Sequence, residues 1–199
     1  MNKKQLEIEL SKLKKITYPK PELEQYTTDS NIAAEVLWFA FMHGDIKGKI
    51  IVDFGCGNGI LGIGALILGA KRVYFVDIDK KALEIAKENC EFKNAKFFNL
   101  SISDFNEKVD IVIQNPPFGV QKRKADKPFL EKAMEVSKKI YSFHKIESKN
   151  FIDKISSENN FLVKDIFLFD FNLRKEMWFH KKGKHKVRVG CWILEKRKL

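Results

Sequence analysis

Cysteine is scarce in this chain of 199 residues: Cys56, Cys90 and Cys191 are all there is, an odd number without metal-ligand spacing. That argues against a disulfide framework and against a zinc site, and for a reducing, cytoplasmic setting. Long apolar runs are missing as well, since none approaches the ~18 residues of a membrane span. The amino terminus lacks the features of a secretory leader. Met1 to Lys15 is charged and patterned as a helix, with Leu6, Leu10 and Leu13, together with Ile8, forming one apolar stripe. Repeats, low-complexity tracts and interior linkers are also absent, so the expectation is one domain, 1–199, large enough for a full core. Acidic residues are outnumbered, 26 against 37 Lys and Arg, leaving a formal charge of +11.

The basic excess is clustered. Gln121-Lys122-Arg123-Lys124 is one group and His180-Lys181-Lys182-Gly183-Lys184-His185-Lys186 the other. Such polarity on a compact domain suits a polyanionic partner, nucleic acid above all, with a solvated lysine-rich surface as the competing reading.

What is present is an alternation of strand and helix patterns. Lys49 to Phe54, Arg72 to Val76, Lys96 to Asn99, Val109 to Ile113 and Lys139 to Phe143 read as short strands. Ile32 to Phe41, Ile60 to Leu68, Asp79 to Phe92, Pro128 to Lys138 and Ser148 to Glu158 read as helices around them. Leu162 to Phe169 and Val187 to Leu194 close the chain as an antiparallel pair. Right-handed crossovers then give an α/β fold with a doubly wound, mostly parallel, Rossmann-like sheet.

Two motifs carry chemistry on that frame. The first is Asp53-Phe54-Gly55-Cys56-Gly57-Asn58-Gly59, between a strand and a helix. Its glycines let the backbone turn sharply and approach a ligand, and the helix opening at Ile60 offers free N–H groups to a carboxylate. Asp77, at the end of the next strand, can accept hydrogen bonds from two ribose hydroxyls. A helix cap is the other reading of Asp77, but Asp79 is better placed for that. Cys56 reads as a small loop filler rather than a nucleophile.

The second motif is Asn115-Pro116-Pro117-Phe118, after a strand. The Asn115 amide oxygen and the Pro116 carbonyl can accept the two hydrogens of a planar amine, and Phe118 can stack on its ring. Prolines hold φ and add no donors, so the ledge stays stiff and rich in acceptors. Together the motifs describe methyl transfer from S-adenosylmethionine to an exocyclic amino nitrogen, with adenine the favoured acceptor. Guanine N2, cytosine N4, a glutamine side chain, or a non-catalytic RNA-binding subunit of the same fold remain as alternatives.

The chain resembles the archaeal and eukaryotic small-subunit ribosomal RNA adenine-N6 methyltransferases, the methyltransferase-like-five group. The likeness runs through Leu23-Glu24-Gln25-Tyr26-Thr27-Thr28, the Gly55 loop, Asp77-Ile78-Asp79, Asn115-Pro116-Pro117-Phe118-Gly119, Tyr141-Ser142-Phe143-His144-Lys145 and Phe179-His180-Lys181-Lys182. It implies a class I methyltransferase with a seven-stranded sheet and a C-terminal antiparallel hairpin. Residues 1–45 would then be a helical segment packing on the cofactor site. S-adenosylmethionine would be held by Gln25, Thr28, Asp53, Gly55, Cys56, Gly57, Gly59, Ile60, Asp77, Ile78, Ser101, Ile102 and Asn115. Asn115, Pro116, Pro117 and Phe118 would act on the base. Lys122, Arg123, Lys124, His180, Lys181, Lys182 and Lys184 would hold ribosomal RNA, and a small zinc-ribbon activator protein is a further expected partner. The sequence departs from the group after the third strand, where Ser101 replaces a common Asp that grips the cofactor's adenine amine. Its hydroxyl, or Asp104 reaching back, would have to substitute.

Overall fold

Alternate residues of the central strands face two different helix layers, which is why those strands read as unbroken apolar runs. The computed structural model describes the chain except residues 18, 26, 120–124, 173–185 and 198–199. Its strands are β1 (Ile50–Phe54), β2 (Arg72–Asp77), β3 (Ala95–Asn99), β4 (Ile111–Gln114), β5 (Lys139–Lys145), β6 (Phe161–Asn172) and β7 (Lys186–Lys196). Its helices are α1 (Lys3–Ser11), α2 (Ser30–Met42), α3 (Ile60–Ile67), α4 (Lys80–Glu88), α5 (Lys127–Val136) and α6 (Lys149–Glu158). The strands make one sheet in the order β3-β2-β1-β4-β5-β7-β6. β1 to β5 are parallel, and β7 runs antiparallel to both β5 and β6. This is the expected α/β sheet with its antiparallel C-terminal pair.

Ile51, Val73, Phe75, Ile111 and Ile113 pack with α1 to α4 on one face. Val52, Phe54, Tyr74, Val76 and Val112, one residue out of step, pack with α5 and α6 on the other. α3 sits very close to the sheet because of two glycines inside it. A Cβ on Gly62 would lie 2.4 Å from Phe75 Cε1, and one on Gly64 2.4 Å from Leu37 Cδ1. Gly62→Ala should therefore destabilise the fold by about 1–3 kcal/mol, because the ring beneath is boxed in and overpacking outweighs the better helix propensity of alanine. Chemical denaturation measures this, and an unchanged midpoint would mean that the helix can lift off Phe75 at little cost.

Element ends differ from the sequence pattern where a side chain has a job elsewhere. α4 stops at Glu88 instead of running to Phe92, and Asn89, its C-cap, still bonds Ile85 O through its N–H while its side chain reaches other segments. Its Nδ2 donates to the carbonyls of Lys14 and Asn58, both at 3.0 Å, and its Oδ1 accepts from Lys14 N at 2.8 Å. Asn89 thus stitches the segment after α1 to the glycine loop. Leu6 and Leu10 of α1 are buried, but Ile8 is half-exposed and falls off the expected stripe.

Candidate active site

The carboxyl ends of β1, β2 and β4 meet at one edge of the sheet, the usual place for ligands in open α/β folds. Asp53 is the penultimate residue of β1, and its Oδ2 accepts from Gly62 N at 2.8 Å. The loop between turns through left-handed backbone at Gly55, Gly57 and Gly59, with φ of +65°, +55° and +85°, which glycine adopts without strain. Asp77 ends β2 and pins that loop from below. Its Oδ2 accepts from Gly57 N at 2.9 Å and its Oδ1 from Asp79 N at 2.8 Å.

A cavity of ≈ 280 Å³ opens above these residues. Gly55, Gly57 and Asp77 form its floor, with Ile78, Ser101 and Ile102 at one end and Asn115 and Pro117 at the other. Glu22, Leu23, Glu24 and Gln25, from the segment before α2, and Phe129 from α5 also line it. The segment before α2 is tied down at Asp79, which caps α4 as expected and also accepts from Lys20 Nζ at 2.9 Å and Gln25 Nε2 at 2.8 Å. Burial acts to raise the Asp79 pKa, but the hydrogen bonds from Lys20 and Gln25 outweigh it and hold the carboxyl below its ordinary range. Gly55, Gly57 and Asn115 also line a smaller adjoining cavity of ≈ 30 Å³, with Thr28, Asp53, Cys56 and Ile60.

Asn115 stands where the two cavities meet. Its Nδ2 donates to Thr28 Oγ1 at 2.9 Å, while its Oδ1 is buried and makes no hydrogen bond. A buried acceptor left unmet costs about 1–3 kcal/mol. Thr28 fixes the amide so that this free oxygen is what Asn115 has left to offer a ligand.

Similarity to known proteins follows the same lines. The family model for ribosomal protein L11 methyltransferase (PrmA) matches residues 38–116, from within α2 to the ledge. A crystal structure from Pyrococcus horikoshii, PH1948, proposed to be an RNA methyltransferase, superposes with a TM-score of 0.93 at 45% identity, covering 100% of this chain and 99% of that one. An uncharacterized Methanocaldococcus jannaschii protein, MJ0284, is 38% identical over 98% of this chain and 95% of its own. The rRNA N(6)-adenosine-methyltransferase METTL5 of Danio rerio is 33% identical over 95% of this chain and 96% of its own. The chain belongs to the methyltransferase-like-five family. Its sheet is that of a class I methyltransferase, and its activity is S-adenosylmethionine-dependent methyl transfer.

The site of this family member fits the methyl donor on its own terms. Asp77 is a carboxylate at the end of a cavity floor made of backbone, with Ile78 and Ile102 as apolar walls for a purine. Asp53 lies beside the small cavity, next to the opening of α3, as an amino-acid end with opposite charges requires. Burial pushes the Asp53 carboxyl up to about 7 against the Gly62 N–H, which favours the charged form. A carboxyl raised in this way stabilises the fold fully below its ordinary pKa, and that contribution is lost as pH rises through about 7. An ammonium group placed alongside reverses the preference. Affinity for S-adenosylhomocysteine should therefore rise between about pH 6 and 8, releasing up to one proton per molecule bound, and Asp53→Asn should flatten the trend. Calorimetry in buffers of different ionisation enthalpy counts the proton, and no release would separate Asp53 from the ligand's amine.

The residues expected at the site divide clearly. Gln25, Gly55, Gly57, Asp77, Ile78, Ser101, Ile102, Asn115 and Pro117 line the larger cavity, and Thr28, Asp53, Cys56 and Ile60 the smaller. Gly59 lines neither and serves the turn into α3. Phe118 lines neither cavity: the residue is 9% exposed and belongs to the apolar cluster on the α1-to-α4 face of the sheet. Of the ledge, Asn115 and Pro117 line the larger cavity, and Pro116 stands between them in the chain with its carbonyl as the second acceptor the sequence offers. Ser101 lines the larger cavity where the expected Asp would stand, and it also has a local role. Its hydroxyl lies 2.8 Å from Ser103 Oγ and caps the turn Ile102–Asp104, while Asp104 is exposed and lines neither cavity. Lys122, Arg123, Lys124, His180, Lys181, Lys182 and Lys184 lie outside the described residues. No sequence pattern marks Leu23, Glu24 or Phe129 as cavity residues. The backbone of Glu24 at φ +49°, rare for a non-glycine residue, has no sequence signature.

Proposed function

We propose that the protein methylates the exocyclic N6 of an adenine in small-subunit ribosomal RNA. The observation that carries this reading is the buried, unmet Oδ1 of Asn115, held in place by Thr28. A buried acceptor on a residue that lines both cavities wants a donor, and a planar NH2 is the acceptor substrate that brings one. The name carried by the Danio rerio relative supports adenine as the base.

The amine's lone pair is conjugated with the purine ring, so it attacks poorly until its hydrogens are drawn out of the ring plane. Asn115 Oδ1 takes one hydrogen and the Pro116 carbonyl the other, which turns the lone pair towards the reacting carbon. The bound sulfonium supplies an already activated methyl group, so positioning provides most of the acceleration. The proton leaves to water after attack, and the site needs no general base. Gln25, Thr28, Asp53, Asp77, Ile78 and Ile102 hold the donor. The base has to leave its helical stack to reach Asn115.

Incubation with labelled S-adenosylmethionine and ribosomal RNA, followed by nucleoside mass spectrometry, tests the assignment. N6-methyladenosine supports it, whereas N2-methylguanosine, N4-methylcytidine or labelled protein alone would replace it. The basic segments are assigned to RNA phosphates. Reversing the charge of Lys181 and Lys182 should weaken RNA binding and reduce its salt slope by about one for each phosphate no longer neutralised. An unaltered slope would return that segment to plain surface. A zinc-ribbon activator would find a sheet edge at β3, whose one strand neighbour among the described residues is β2.

A further inference from the structure

Gln114 and Asp126 stand at the two ends of the segment that carries Asn115, Pro116, Pro117 and Phe118. Gln114 is the last residue of β4, and Asp126 occupies the N-cap of α5. Both reach one buried chain of hydrogen bonds on the neighbouring strand β5. Gln114 Nε2 donates to Ser142 Oγ at 2.9 Å, Ser142 Oγ lies 2.7 Å from His144 Nε2, and His144 Nδ1 lies 3.0 Å from Asp126 Oδ2. Gln114, Ser142 and His144 are fully buried and Asp126 is 7% exposed.

The protons run in one direction along this chain. With the Gln114 amide donating to the serine oxygen, the serine hydroxyl donates to His144 Nε2, and the Nδ1–H is left for Asp126. A neutral imidazole is required, and burial favours one by lowering the His144 pKa against the pull of Asp126. Asp126 is unusual for its position: an aspartate at an N-cap ordinarily accepts from the helix's first N–H groups. Here its side chain makes no cap hydrogen bond and is committed to His144 instead. None of the four residues lines either cavity, so none touches donor or acceptor. Their link to the chemistry runs through the backbone they bracket.

We infer that Ser142, His144 and Asp126 are positioning residues that clamp both ends of the ledge segment to β5 and thereby set where Asn115 presents its amide oxygen. The inference rests on the reading of Asn115 as the acceptor for the substrate amine. Left unclamped, the segment keeps β4 at one end, the packing of α5 at the other and buried Phe118 between them, but the end of β4 next to Asn115 loses its side-chain tie to β5. Misplacing a catalytic acceptor by about 1 Å can cost a hundredfold in rate, which is how a network that never touches substrate affects kcat.

Asp126→Ala and His144→Phe, each checked for folding by circular dichroism and thermal melting, test this. Both should bind S-adenosylhomocysteine within about threefold of the natural protein while kcat on RNA falls roughly ten- to hundredfold with little change in KM. Hydrogen exchange should rise at the amides of Asn115, Phe118 and Gly119 and stay unchanged over β1; Pro116 and Pro117 have no amide to report. Asp126→Asn should keep both kcat and protection near natural levels, because a carboxamide oxygen accepts the same N–H. Should His144→Phe fail to fold, Ser142→Ala carries the same expectations, since it removes the middle link without stranding a charge.

Natural kcat and exchange in the folded variants would overturn the clamp. So would kcat and cofactor affinity falling in parallel, or Asp126→Asn failing as badly as Asp126→Ala. The exchange measurement needs no substrate. If the natural protein methylates something other than adenine, the function assigned above fails while the clamp is still decided.

Discussion

Asn115→Ala is expected to lower kcat for RNA methylation about 10²–10³-fold, the usual loss when one preorganised group facing the reacting atoms is deleted. Affinity for S-adenosylhomocysteine should stay within about threefold, because the donor's binding energy comes mostly from other groups. The structure gives the reason for this asymmetry. Asn115 spends its Nδ2 on Thr28 and keeps Oδ1 buried and unmet, so the oxygen holds no part of the fold together. Removing an unmet buried acceptor relieves a desolvation cost of about 1–3 kcal/mol, which offsets the loss of the Nδ2–Thr28 hydrogen bond, worth about 0.5–1.5 kcal/mol, so the variant should melt close to the natural protein. Single-turnover kinetics at saturating cofactor isolate the chemical step. A parallel fall in kcat, cofactor affinity and melting temperature would make Asn115 a structural residue and remove the main support for an amine acceptor.

Much of this site is legible in the sequence because it is built from local signals. The Gly55 loop, Asp77 at a strand end and Asn115 after the next central strand are each read within a few residues of chain. The alternation of short strands and helices likewise predicts which residues face a core. It does not say what lies across a strand. Gln114 meets Ser142 because β4 and β5 pair in that register, and no pattern within either strand announces it. Thr28 and Asn115 are joined across the cofactor site by the fold of the segment before α2, where sequence offers only a helix start. Phe118 escapes a sequence pattern for a related reason. Aromatic rings suit both a base stack and a core, and the burial of Phe118 comes from tertiary packing that no local pattern announces. Ser101 has a second task that a family pattern does not show: its hydroxyl caps the local turn that its own type favours.

Asp77→Ala is expected to weaken S-adenosylhomocysteine binding about 10²–10³-fold, since hydrogen bonds to a charged group contribute about 1.5–3 kcal/mol each and two ribose hydroxyls are at stake. Its effect on the unliganded fold should be much smaller, because two contributions oppose each other. The alanine strands the Gly57 and Asp79 N–H groups that the carboxylate now satisfies, which destabilises the loop. It also removes a carboxyl whose pKa is raised by burial, above the lowering by the Asp79 and Gly57 amides. A raised pKa means that the group's contribution to stability is present below its ordinary value and lost as pH rises through the raised one. At neutral pH the ionised Asp77 is therefore held at some cost, and deleting it recovers part of what the two amides lose. Asp77→Asn should fall between, since its amide oxygen can serve one N–H while its NH2 faces the other. Calorimetric titration alongside thermal melting separates the two effects. A variant that binds normally would take Asp77 out of the donor's site. One that loses stability in proportion to affinity would reduce Asp77 to a staple for the glycine loop.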